Sequence, residues 1–176
     1  MKSVTRATLM FMMATGAVQA ASDTATITVT GKVLTNTCTI DSSSAEQNIT
    51  LDDISDRDIS KGTAGGTKEV VIVLKNCEAG ASSVVVSASG ATDADDASAF
   101  ANVKAQAEGG ATGVGVYFYQ TNGTTKFVPS GTVTQTSKLT PSQDNTLTYK
   151  ASYVGTKDTV TAGAFSTVVN MTFDYQ

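Results

Sequence analysis

The sequence contains no histidine and no tryptophan, only two prolines and two cysteines, and its aromatic and charged fractions are low, at 6% and 16%. Each shortage closes off a class of function. Without histidine the chain lacks the usual general base and the usual metal ligand. A Ser/His/Asp triad or a Cys/His pair cannot be assembled from it. Two cysteines without histidine leave a tetrahedral metal site unfilled. The missing tryptophan removes the usual platform for a sugar ring, which weakens a glycoside-hydrolase reading of the acidic loops. No Walker or Rossmann glycine pattern stands between a strand and a helix. The formal net charge is −4, and no basic patch offsets it. That balance argues against nucleic acid and against an anionic membrane surface. An enzyme is not expected, nor a cofactor, a metal or a small-molecule substrate.

What is present is Thr, Ser, Ala, Gly and Val in a pattern of short strands and turns. The first twenty residues form a targeting segment. Lys2 and Arg6 give a positive start, Ala7–Ala17 is apolar, and Val18-Gln19-Ala20 supplies short residues for cleavage after Ala20. The apolar run falls short of the roughly 20 residues a membrane span needs. Behind it, Ala25, Ile27, Val29, Gly31 and Val33 alternate with Thr26, Thr28, Thr30 and Lys32. This period of two reads as a half-buried strand. An apolar strand so near a new N-terminus must be covered by something, because such termini otherwise fray.

Further strands are expected at Gln47–Leu51, Lys68–Lys75, Ser83–Ser89, Gly113–Gln120, Asn145–Val154 and Phe165–Tyr175, with strand signal nearly throughout Ala25–Ile40. The continuous apolar run Lys68–Lys75 reads as buried on both faces. Lys126–Val128 and Thr132–Thr136 read as a short hairpin. Ala94–Ala107 could form a short helix carrying Phe100 and Val103 on one side. Turn residues separate these segments. The sum is an all-β sandwich of immunoglobulin-like size in one domain. In an exported chain, Cys38 and Cys77 pair as one disulfide, worth roughly 3–4 kcal/mol on a chain-entropy account. Asp52, Asp53, Asp56 and Asp58 on one loop, and Asp93, Asp95 and Asp96 on another, read as solvated acidic loops; neither has a calcium-binding loop pattern.

The final segment places Phe165, Val169, Met171, Phe173 and Tyr175 on one face, with Asn170, Thr172 and Asp174 on the other. The sequence stops one residue after Tyr175, so this strand is expected to lack a following partner. Two unpartnered amphipathic strands thus stand at opposite ends of the chain. The first is either a strand of its own sandwich, as in a stand-alone secreted sugar- or protein-binding module, or a strand meant for another molecule.

These elements, in this order, resemble the structural subunits of chaperone–usher pili, close to type 1 fimbrial subunits. The carriers of the resemblance are ATITVTGKV with Gly31, then Cys38, VIVLKNC ending in Cys77, GVGVYFY, LTYKASY, Gly163 and the penultimate Tyr175. The resemblance implies an incomplete immunoglobulin-like sandwich that lacks its last strand. Residues 1–20 would be the signal peptide, 21–34 a donor-strand extension and 35–176 the pilin domain. Ala25, Ile27, Val29, Gly31 and Val33 would be donor residues. Gly163, Phe165, Val169, Met171, Phe173 and Tyr175 would form the groove and chaperone-binding strand. The implied partners are neighbouring subunits, a periplasmic chaperone and an outer-membrane usher, with the fibre displayed at the cell surface for adhesion.

Overall fold

In the computed structural model, residues 25–31 and 37–176 are described. The chain divides into two units at Val33 and Leu34. In the first unit Ala25–Gly31 has no regular secondary structure and is exposed. The proposed signal segment, Lys32 and Val33 lie outside the described residues.

The second unit is a sandwich of two antiparallel sheets. Its strands are β1 (Thr39–Ile40), β2 (Ala64–Lys75), β3 (Ser83–Gly90), β4 (Phe100–Ala101), β5 (Val114–Tyr119), β6 (Lys126–Phe127), β7 (Ser130–Lys138), β8 (Asn145–Gly155) and β9 (Val169–Tyr175). One sheet runs β1-β2-β8-β5-β4, with β6 also on β5; the other runs β7-β3-β9. Helical structure among the described residues is limited to Ser42–Ala45 and two short 3-10 turns.

Alternation explains the core. Val70, Ile72 and Leu74 of β2 and Leu147, Tyr149 and Ala151 of β8 face Val84, Val86 and Ala88 of β3, all buried. Phe118 stacks on Phe127 and on Tyr149 at centroid distances of 5.9 and 5.7 Å. Cys38 and Cys77 are bonded, which ties the start of β1 to the turn after β2.

Several sequence expectations are corrected. Lys68–Lys75 is not buried on both faces: Val71 is 40% exposed, and its neighbours alternate in and out. The strand buried on both faces is β5, whose outward Tyr117 packs with Ala99 and Val154. Gln47–Leu51 is irregular because side chains replace a ladder there. Ser44 Oγ accepts from Val73 N at 3.0 Å, and Gln47 Nε2 donates to Val71 O at 2.8 Å, along the edge of β2 that β1 leaves uncovered. Ala94–Ala107 is not a helix. Asp93 Oδ1 accepts from the amides of Asp95 and Asp96, and Asp96 Oδ1 from that of Ser98, a local bonding that competes with helix. Phe100 is instead buried in β4, opposite Val116. Residues 126–136 do not form a hairpin: β6 pairs with β5 and β7 with β3, so the chain crosses between sheets at Pro129–Gly131, where Gly131 takes a φ of +74°. Among the described residues of 25–40 only Thr39–Ile40 is strand, and the final strand begins at Val169 rather than Phe165.

Candidate functional site: an open groove along the last strand

β9 pairs with β3 on one side, through the register Val84↔Tyr175 to Gly90↔Val169. Among the described residues no strand pairs with its other side. Which backbone groups face that open side follows from one bonded pair. Gln176 N donates to Ser83 O at 2.9 Å, and Ser83 N donates to Gln176 O at 3.4 Å. Antiparallel ladders alternate bonded and non-bonded pairs. Asp174, Thr172 and Asn170 therefore bond inward to β3. Tyr175, Phe173, Met171 and Val169 direct their N–H and C=O groups to the open edge.

The same four residues point their side chains into the sandwich, since side-chain direction also alternates. They pack against the core, yet each remains only half-buried. Beside them runs a groove of about 1000 Å³. Its apolar lining comes from Ile72 of β2, Val116 and Phe118 of β5, Val169, Met171 and Phe173 of β9, and Leu51 and Ile54 of the irregular segment before β2. Sequence periodicity could not reveal Leu51 and Ile54 as groove residues, because their segment is not a strand.

Of the residues singled out from the sequence, Gly163, Phe165, Val169, Met171 and Phe173 all line this groove. Tyr175 lies on the same strand and packs on the core, outside the groove lining. Burial pushes its hydroxyl pKa above the ordinary tyrosine value. Phe165 meets Tyr153 edge-on at 5.5 Å. Gly163 is fixed by a close approach: a Cβ there would stand 2.5 Å from Ala111 N and 2.6 Å from Gly110 C. Ala25, Ile27, Val29 and Gly31 are exposed, with Ile27 at 84% and Val29 at 88%.

The carboxylates serve local structure. Asp52 pairs with Lys68 at 2.9 Å and Asp95 with Lys157 at 3.3 Å, while Asp96 Oδ2 accepts from the Tyr117 hydroxyl at 2.6 Å. Among the described residues no acidic or cysteine cluster has the grouping of a metal site. Asp41 pairs with Lys75 at 2.6 Å and caps the short helix by accepting from Ser43 N at 3.0 Å. The Lys75 bond, followed by the bonds from Ser43, holds its carboxyl down to about 2.

A groove with an unpaired strand edge along its side can take up an extended peptide segment. It would do so by main-chain bonding with apolar side chains set between the sheets. Comparison with known proteins gives concordant results. A family model described as Fimbrial protein matches residues 27–176. Long polar fimbria protein A of Salmonella typhimurium (strain LT2) is 33% identical over 168 residues, covering 94% of this chain and 91% of that protein. Fimbrial subunit ElfA of Escherichia coli (strain K12) is 32% identical over 182 residues, covering 99% and 98%. The crystal structure of the P pilus rod subunit PapA shares the fold, with a TM-score of 0.65 at 24% identity over 79% of this chain and 99% of that one.

Proposed function

This chain belongs to the fimbrial protein family and is a structural subunit of a surface pilus, and from that premise we propose how its two ends make the polymer. Residues 21–34 act as a donor-strand extension and 35–176 as the pilin domain. Ala25, Ile27, Val29, Gly31 and Val33 of one copy enter the groove of the next. There they face Gly163 and Phe165, which precede the last strand, and Val169, Met171 and Phe173 on it; that strand ends at Tyr175. Before assembly a periplasmic chaperone covers that strand. An outer-membrane usher exchanges the chaperone's strand for the donor and passes the fibre to the cell surface. The role is structural, without catalysis.

One observation carries the reading: the unpaired edge of β9 beside a groove with apolar residues of both sheets in its lining. An open edge of this kind is an aggregation hazard unless a specific strand covers it. The exposure of Ile27 and Val29 supplies the complement, because nearly all of their apolar area is still available for burial. Each of Ile27, Val29 and Val33 contributes roughly 1.5–3 kcal/mol when buried. Each main-chain bond contributes about 0.5–1.5 kcal/mol more. At Gly31 no described atom stands within 4 Å of where a Cβ would lie, and its φ is not positive. Nothing among the described residues around it calls for glycine. A shallow point in a neighbour's groove does.

The test is polymer formation by Ile27→Asp and Gly31→Leu variants. Wild-type fibre run in detergent without heating gives a ladder that collapses on boiling. Both variants are expected to run as monomers while keeping the circular dichroism spectrum and melting temperature of the unassembled wild-type subunit. Normal ladders from both would refute the donor role.

A further inference from the structure

The open edge described so far begins with β9 at Val169, but the chain before it, 163–167, lines the same groove without belonging to a strand. Its backbone nevertheless keeps the alternation of β9. Ala164 N donates to Gly109 O at 2.8 Å, and Ala164 O accepts from Ala111 N at 2.9 Å. Ser166 O accepts from Val103 N at 2.8 Å. Ser166 N donates to the side-chain oxygen of Asn102 at 3.0 Å. Ala164 and Ser166 thus bond to neighbouring segments with the same parity as Asn170, Thr172 and Asp174 of β9.

Asn102 completes this arrangement where strand β3 no longer reaches. Its Nδ2 donates to Ala164 O and to Ala111 O, both at 2.9 Å. Its Oδ1 accepts from Ser166 N and, at 3.1 Å, from Lys104 N. One amide side chain uses both donors and both acceptor sites to hold three segments together. If residues 164 and 166 bond behind, residues 165 and 167 direct their N–H and C=O groups forward, in phase with Val169, Met171, Phe173 and Tyr175. Thr167 adds a second sign: its hydroxyl is buried without a partner at the groove.

We propose that Asn102 is a positioning residue that stands in for a strand partner and extends the docking edge for an incoming strand from Val169 back to Phe165. This rests on the groove being filled by a neighbour's strand, as proposed above. The occupant is the donor segment of a second copy. Every ladder between named strands in this fold is antiparallel. An antiparallel donor places its C-terminal half, at and beyond Gly31, against Phe165 and Thr167.

The test is amide hydrogen exchange on purified assembled fibre of the full chain. In wild type the amides of Phe165 and Thr167 should be slowed together with those of Met171 and Phe173, by roughly a hundredfold or more over the free peptide rate. In Asn102→Ala fibre, Met171 and Phe173 should stay protected, while Phe165 and Thr167 exchange at least about tenfold faster than in wild type. If Phe165 and Thr167 exchange freely in wild type while Met171 and Phe173 are protected, the extension is wrong and donor pairing stands. If none of the four is protected, the donor reading itself fails. The wild-type comparison decides the matter even if the variant does not assemble.

Discussion

At the scale of single residues, two positions show how much a local contact can fix. The Asp41 carboxylate is stabilised by Lys75 and Ser43, so its pKa in the folded chain lies near 2, below the ordinary 3.8. A depressed carboxylate pKa adds stability that is fully present above the unfolded value and lost as pH falls through the folded one. Wild-type stability should therefore fall between about pH 4 and pH 2 more steeply than that of Asp41→Asn, as read from urea midpoints at each pH. Equal slopes would remove Asp41 from the acid response. Gly163 is held by sterics instead of charge. A methyl there meets the backbone of Gly110 and Ala111, which cannot rotate away. Gly163→Ala should cost about 1–3 kcal/mol in equilibrium denaturation, as overpacking does. The sequence marked Gly163 as the end of a turn and, through resemblance, as a groove residue; no periodicity distinguishes a glycine pressed against another segment's backbone. Asn102 carried no signal at all: an isolated asparagine in a loop is ordinary until its four hydrogen bonds are seen.

At the scale of elements, β9 has two different edges made of alternate residues, and proline can tell them apart. Proline lacks the N–H, so it is tolerated where that group faces outward and disruptive where it bonds a neighbour. Thr172→Pro removes a donor to β3 and should lower the melting temperature of the domain. Met171→Pro removes a donor on the open edge. It should leave the isolated domain the more stable of the two variants, yet abolish the heat-sensitive polymer ladder. The reverse order of stabilities would mean that the edge assignment is inverted. Strands β3, β5 and β8 were legible because each combines apolar alternation or a full apolar run with flanking turn residues. The inner face of β9 was legible for the same reason, down to its half-buried Val169, Met171 and Phe173. Elements held by side-chain bonds were not. Ser44 and Gln47 edge β2 without forming a strand, and Asp93 and Asp96 hold a loop where hydrophobic spacing had allowed a helix. Polar residues bonding to backbone leave no periodic trace.

At the scale of the whole molecule, the sandwich was readable as a class, while the sheet assignments were not. Lys126–Val128 and Thr132–Thr136 are close in sequence and divided between two sheets. Only the three-dimensional crossing at Pro129–Gly131 separates them, and a local reading favours the shorter-range hairpin. The groove was likewise implied by the family resemblance, with the two unpartnered strand patterns in agreement, but its second lining, from Leu51 and Ile54, depended on tertiary placement. The fold stores its specificity in what it leaves undone. Core residues such as Leu74, Val84, Val86 and Tyr149 are essentially inaccessible, whereas the whole inner face of β9 is only half covered.

The Cys38–Cys77 bond has a mechanical consequence. In a fibre joined as proposed, tension on a subunit enters along residues 25–37 from the neighbour that holds them. β1, the next element, is only two residues long. Two residues of ladder would peel under load. The covalent link at Cys38 carries the pull past β1 into the far end of β2, which is bound along most of its length to β8. Shear is then spread over a long ladder in the middle of the sheet, and the weakest piece of secondary structure in the path bears almost none of the load.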